Sequence, residues 1–256
     1  MTKIKTALFA WGLLGITTMA LVQAAAGNYS AKDILAQVDK VSHTSSSKML
    51  LTQTVITPSG AKRSFKMLSY SMNGNEKSLT EYLAPNQVRG MKILTLNDGD
   101  DIWTWFPRTN RVRKIASSAR NRKVQGSDFT YDDMASGKMA KSWHAKLAGE
   151  ESIGDTKCYK LSLVPSASGP KSYLKAMAWI NKSTFATVRV EYFDLDGDKI
   201  KRLDIKSYKK VNGVLVPFRY VMTNLTDGGT TTMQVAKAEV NIKLNAQLFT
   251  EAGLGR

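Results

Sequence analysis

Residues 101–133 read DIWTWFPRTNRVRKIASSARNRKVQGSDFTYDD, and the rest of the chain is arranged around them. Ile102-Trp103-Thr104-Trp105-Phe106 is an aromatic, strand-like run. Pro107 closes it, because proline has no N–H to give to a ladder. Arg108-Thr109-Asn110 reads as a turn and 111–116 as a second strand, with Val112 and Ile115 as its apolar members. A polar loop runs on to Gly126, and Ser127 can cap a short helix that begins near Phe129. Arg108, Arg111, Arg113, Lys114, Arg120, Arg122 and Lys123 crowd the middle of the stretch with no acid among them. A solvated basic hairpin would carry the same run.

Outside this stretch the period of the pattern changes once. Ser30-Ala31-Lys32-Asp33 has the form of a helix cap, and Ile34, Leu35, Val38 and Val41 fall on one helical face. From Lys48 onward the alternation has a period of two. It marks strands at 49–57, 61–72, 77–83, 90–96, 102–106 and 111–116. After the short helix it marks others at 143–149, 157–164, 174–181, 187–194, 199–209, 214–224 and 231–242. Asn73-Gly74, Asp196-Gly197, Asn212-Gly213 and Gly228-Gly229 are hairpin signals between them. The pattern predicts a mainly β (α+β) fold of about eleven strands in one antiparallel meander. A sheet of that length curls into a half-open barrel. The helix at 30–41 and the segment 117–139 are placed to act as a lid.

The chain resembles the LolA-like family of outer-membrane lipoprotein-sorting proteins, in particular the branch associated with RND-type (MMPL-like) exporters. The matching pieces are Trp103 to Pro107 (Trp-x-Trp-Phe-Pro), Arg111-Val112-Arg113-Lys114-Ile115, and Gly126-Ser127-Asp128-Phe129-Thr130-Tyr131-Asp132-Asp133. Trp179-Ile180-Asn181, Val216-Pro217-Phe218, Phe249-Thr250 and Leu254 also fit, so the resemblance spans roughly residues 30 to 254. The heavy positive charge and Trp105 depart from an average member. The resemblance implies a LolA/LolB-like curled sheet with helices over its open side and an apolar cavity between.

Residues 1–26 read as a cleaved signal peptide, with Lys3 and Lys5, an apolar run from Thr6 to Val22, and Ala24-Ala25-Ala26. Residues 27–256 form one domain in this reading, and the expected location is the periplasm. The net charge of +16 favours anionic partners, which outside the cytoplasm means a membrane surface or an acidic protein rather than nucleic acid. One cysteine, Cys158, cannot form an internal disulfide and sits in a strand alternation.

The sequence offers little for catalysis. His43 and His144 have no partner at metal-ligand spacing. Asp194, Asp196 and Asp198 resemble the start of a calcium loop, but Lys199 and Ile205 occupy the positions that need Gly and Glu. Ser45-x-x-Lys48 and Ser168-x-x-Lys171 lie in turn-like segments, and no Gly-x-Ser-x-Gly elbow exists. No enzyme activity, metal or cofactor is therefore expected.

Hydrophobic capacity remains. Trp103, Trp105, Met91, Met177 and Trp179 are the expected lining of a lipid site. Trp103 and Trp105 share one strand face, as do Met177 and Trp179. The basic residues at 108–123 are expected to meet anionic headgroups or a partner. Three functions follow. The first is a carrier or chaperone that binds acyl chains of lipids or lipoproteins and delivers them toward the outer membrane. The second is an accessory that docks on an RND-type transporter and hands over a hydrophobic substrate. The third is a packed structural barrel without ligand.

Overall fold

Ser30 caps the first helix, as the sequence predicts. Its hydroxyl accepts from the Asp33 amide, and the Asp33 carboxylate accepts from the Ser30 amide, a reciprocal capping box. Helix α1 (Ala31–Ser42) follows, burying Ala31, Ile34, Leu35 and Val38. The structure, a computed structural model, describes residues 29–135 and 137–255. The expected leader at 1–26 lies outside the described residues. Among these, no helix is long and apolar enough to cross a membrane.

Six strands come next as a meander: β1 (Ser46–Ile56), β2 (Lys62–Met72), β3 (Lys77–Ala84), β4 (Lys92–Leu96), β5 (Asp101–Phe106) and β6 (Arg111–Lys114). The chain then crosses through α2 (Tyr131–Ala135) and α3 (Met139–Ser142). Seven more strands follow: β7 (Trp143–Ile153), β8 (Thr156–Pro165), β9 (Lys175–Asn181), β10 (Thr187–Phe193), β11 (Lys199–Val211), β12 (Val214–Asn224) and β13 (Thr230–Val240). The sheet thus has thirteen strands rather than about eleven; every segment marked by the alternation became a strand. Asn73-Gly74 and Asn212-Gly213 have positive φ at both residues, as the tight hairpin turn requires. At Asp194–Asp198 the carboxylate of Asp194 accepts from the amides of Asp196 and Asp198, folding that acidic run into a hairpin tip.

The strand order is β6-β5-β4-β3-β2-β1-β13-β12-β11-β10-β9-β8-β7. Two meanders are therefore joined by the antiparallel pairing of β1 with β13. The edges are β6 and β7, so the curl is not closed. Because β6 and β7 are consecutive in the chain yet lie at opposite edges, residues 115–142 must span the open side. That topological fact creates the cover over the concave face.

Three apolar clusters result. On one half of the concave face, Leu51, Val55, Phe65, Met67, Tyr82 and Ile93 pack with Val124 and Ala135 of the crossing segment. On the other half, α1 covers Trp143, Tyr159, Leu161, Ala176, Ala178 and Ile180. The third cluster is on the convex face, where Phe249 and Leu254 of the C-terminal tail cover Leu79, Leu94, Trp103 and Trp105.

Candidate functional site: a covered cavity and a basic groove

A cavity of about 330 Å³ lies between the concave face and the crossing segment. Its apolar wall includes Met49, Leu51, Met67, Met233, Phe129 and Met134, and its polar wall includes Ser69, Ser71, Ser78, Thr80 and Thr95. Tyr220 lines it too, and burial pushes the Tyr220 hydroxyl up to about 12.

The crossing segment is bolted down by three aspartates from the Gly126–Asp133 motif. Asp128 is buried; its carboxylate accepts from the Thr231 hydroxyl of β13 at 2.8 Å and from Lys123 Nζ at 3.1 Å. Lys123 also reaches Asp227 at 3.1 Å. Burial weighs against the charged Lys123 ammonium, but its bonds to Asp227 and Asp128 outweigh that and raise its pKa. Asp132 accepts from the Lys171 and Ser172 amides and the Ser172 hydroxyl, and Arg120 stands 3.7 Å away. Asp133 closes the capping box of α2 with Thr130 and accepts from Tyr173 at 2.6 Å and Lys201 Nζ at 2.8 Å. Burial first, then the Asp133 charge, holds the Tyr173 hydroxyl well above its ordinary pKa, so it donates at any physiological pH. These bonds tie the crossing segment to the second meander, because Thr231 and Lys201 lie on β13 and β11 and Ser172 precedes β9.

Two close approaches fit the same design. Gly99 has φ +102, and a Cβ there would lie 2.5 Å from the Ala135 carbonyl oxygen. Only glycine lets this turn pass so near α2, and its carbonyl accepts from Arg120. Asp39 of α1 accepts from the Met139 and Ala140 amides at 2.8 and 3.0 Å, capping α3. Burial nevertheless raises the Asp39 pKa, against those two amides.

The five expected lining residues do not come together. Trp103 and Trp105 face away from the cavity. Register pairs Trp103 with Leu94 and Ile93 with Thr104, and it is Ile93 that lines the cavity. The indoles are convex-face packing under the tail. Met177 and Trp179 are also on the convex side, since their neighbours Ala176, Ala178 and Ile180 are the ones that pack against α1. Trp179 lies beneath Lys160, whose Nζ is 5.1 Å from the ring centroid. Only Met91 faces inward, within the concave cluster and beside Gln125, whose amide donates to its sulfur.

The basic run divides in the same way. Lys114 pairs with Asp101 at 2.5 Å on the convex side, Arg120 with Asp132, and Lys123 with Asp128 and Asp227. These three are structural ties rather than a free cationic surface. Arg108, Arg111, Arg113 and Arg122 are exposed, and none of the described ion pairs includes them. Arg108 and Arg113 flank a second groove of about 380 Å³ floored by Val88, Met91, Phe106 and Pro107. Here the structure does unite one expected lipid-site residue, Met91, with two of the expected headgroup contacts. The sequence reading missed Lys201, Tyr173 and the anchoring role of the three aspartates. Their signal was three acids set among Phe129, Tyr131 and Met134 in an otherwise cationic stretch.

Comparison with known proteins follows this geometry. A family model described as "Uncharacterized protein" matches residues 74–256. No curated protein matches the chain. Among solved structures, a domain from Vibrio parahaemolyticus named for outer membrane lipoprotein sorting is similar at 21% identity and TM-score 0.81. The alignment covers 88% of this chain and 98% of that one. A DUF1329 family protein from Desulfovibrio piger has 20% identity and TM-score 0.82, covering 88% and 97%. A LolA superfamily protein from Nitrosomonas europaea has 22% identity and TM-score 0.74, covering 88% and 99%. At these identities what is shared is the fold: a single, unclosed antiparallel sheet of the LolA type.

Proposed function

Because the chain belongs to the uncharacterized-protein family matched over residues 74–256 and has the fold of the LolA superfamily, we propose that it is a periplasmic carrier for lipid or lipoprotein acyl chains. The observation that carries this reading is the partly open cavity of about 330 Å³ beneath the crossing segment. A fully packed structural barrel would leave no such space. Ten methylenes buried there contribute ~8 kcal/mol, equivalent to a Kd of about 1 μM before ordering costs. No bond is made or broken. Transfer toward the outer membrane comes from differences in affinity between donor, carrier and acceptor. Arg108 and Arg113, over the apolar floor of the groove, suit an anionic headgroup.

The test is native mass spectrometry, with lipid extraction, on protein purified from the periplasm. Co-purified phospholipid or acylated peptide is the expected result. A clean apo mass, with no uptake from added phospholipid vesicles, would overturn the carrier reading.

The exposed arginines at the β5–β6 edge favour a second reading, docking on an RND-type exporter that receives the cargo. Arg111→Glu, at a position outside the groove lining, is the variant that separates the two. Loss of exporter binding with lipid uptake intact supports docking; unchanged exporter binding removes it. Arg120 is unsuitable for this test because its pairing with Asp132 belongs to the fold.

A further inference from the structure

The cavity wall is not what a bare hydrocarbon chain would select. Ser47, Ser71, Ser78 and Thr95 stand opposite one another across β1, β2, β3 and β4, a single row of four hydroxyls on the concave face. Ser47 and Ser71 bond to each other at 2.8 Å. In the next row Ser69 and Thr80 are neighbours between Met49 and Ile93. All of these line the cavity. In the same wall, buried Gln53 and Tyr82 carry a carbonyl oxygen and a hydroxyl with no partner among the described residues.

The outward faces of these strands sharpen the contrast. Leu79 and Leu94 of β3 and β4, with Trp103 of β5, point outward beneath the C-terminal tail. At this corner the sheet puts apolar side chains outside and hydroxyls inside, the reverse of ordinary one-sided burial. Further along the same face Leu51 and Met67, with Met233 of β13 and with Phe129 and Met134 of the crossing segment, make the rest of the lining apolar.

We propose that the cavity takes a hydroxyl-bearing amphiphile, an acyl chain against the methionine side and its glycerol-like polar part against the Ser/Thr rows. This rests on the carrier reading and narrows its ligand. A hydroxyl both donates and accepts, so it can meet serine, threonine, tyrosine or amide groups in any orientation. An alkyl chain pressed on the same rows leaves them desolvated and unpaired, a difference worth about tenfold or more in affinity.

The experiment uses the mature chain, delipidated, with displacement of a fluorescent fatty-acid probe. The competitors are 1-monopalmitoylglycerol and methyl palmitate. Both carry the same chain and an ester; only the first carries free hydroxyls. The expected result is at least a tenfold preference for monopalmitoylglycerol. In Ser69→Ala/Thr80→Val, which keeps side-chain volume nearly constant, the preference falls below threefold while methyl palmitate binds as well or better. Equal binding of both competitors by the unaltered protein overturns this inference and leaves the carrier reading standing. So does a preference that survives the double substitution. Binding of neither competitor overturns both.

Discussion

Replacing Lys201 by Met tests whether the crossing segment is held by its buried ion pair. Lys201 Nζ donates to Asp133 at 2.8 Å and to the Tyr173 oxygen at 2.7 Å, and both charged side chains are more than nine-tenths buried. Methionine keeps the stem and its packing but removes the charge. Among the described residues Asp133 then keeps Tyr173 and the Thr130 amide as partners. Removing one member of a buried pair costs ~3–5 kcal/mol, and two hydrogen bonds to charged groups at ~1.5–3 kcal/mol each give the same range. For a chain of this size that is a fall of about 6–20 °C in Tm. We predict that loss in urea and thermal unfolding, with amide exchange accelerated across residues 127–135. Asp133→Asn in the Lys201→Met background should recover part of it, because the stranded charge is gone. A loss below ~1 kcal/mol with unchanged exchange in that segment would refute the anchoring argument.

Further outcomes follow from other parts of the fold. Ser30→Ala removes the α1 cap and should cost about 1 kcal/mol in chemical denaturation. The Ser30 hydroxyl, then its amide, lower the pKa of Asp33. A lowered carboxylate contributes stability above its unfolded pKa that is lost as pH falls through the folded value. Acidification below about pH 4 should therefore destabilise the native chain more than Ser30→Ala. Phe249→Ala opens the convex cluster and should cost ~3 kcal/mol or more by urea unfolding, with Trp103 and Trp105 emission shifting to longer wavelength. An unshifted emission maximum would mean that the tail does not cover the indoles.

The element pattern was legible because each strand obeys a simple period and each tight turn carries its own residues, Asn73-Gly74 and Asn212-Gly213 among them. Inside and outside were not legible for β5. Alternation places Trp103 and Trp105 together, yet both faces of β3 to β5 are buried, one under residues 115–135 and the other under the tail. Apolar character then carries no sign. The basic run misled for a different reason. Acids are absent between 108 and 123, but Asp101, Asp132, Asp128 and Asp227 reach Lys114, Arg120 and Lys123 from elsewhere in the chain. Three of these acids flank the run within residues 101–133 and Asp227 is 104 residues from Lys123, and counting charge inside the run registers none of them. Lys201 was hidden in Lys199-Ile200-Lys201-Arg202, where nothing distinguishes the buried cation from the exposed ones.

The anchors also divide the crossing segment into a stiff part and a loose part, which bears on how cargo would enter. Opening at 128–133 breaks at least one buried ion pair, at ~3–5 kcal/mol. At the β5–β6 end the tie is Lys114 to Asp101, whose side chains are 53% and 28% exposed. Such pairs contribute ~0–1 kcal/mol. The groove at this end shares a wall with the cavity, because Met91 and Tyr82 are joined through the backbone and Tyr82 lines the cavity. We predict that lipid enters past Val88, Met91 and Arg113, which would place an anionic headgroup among the exposed arginines as the chain goes in. Val88→Trp should then slow uptake from vesicles several-fold in stopped-flow fluorescence while leaving equilibrium affinity near its original value. Unchanged uptake kinetics would place the entrance elsewhere along the open side, and the arginines would lose their link to the cavity.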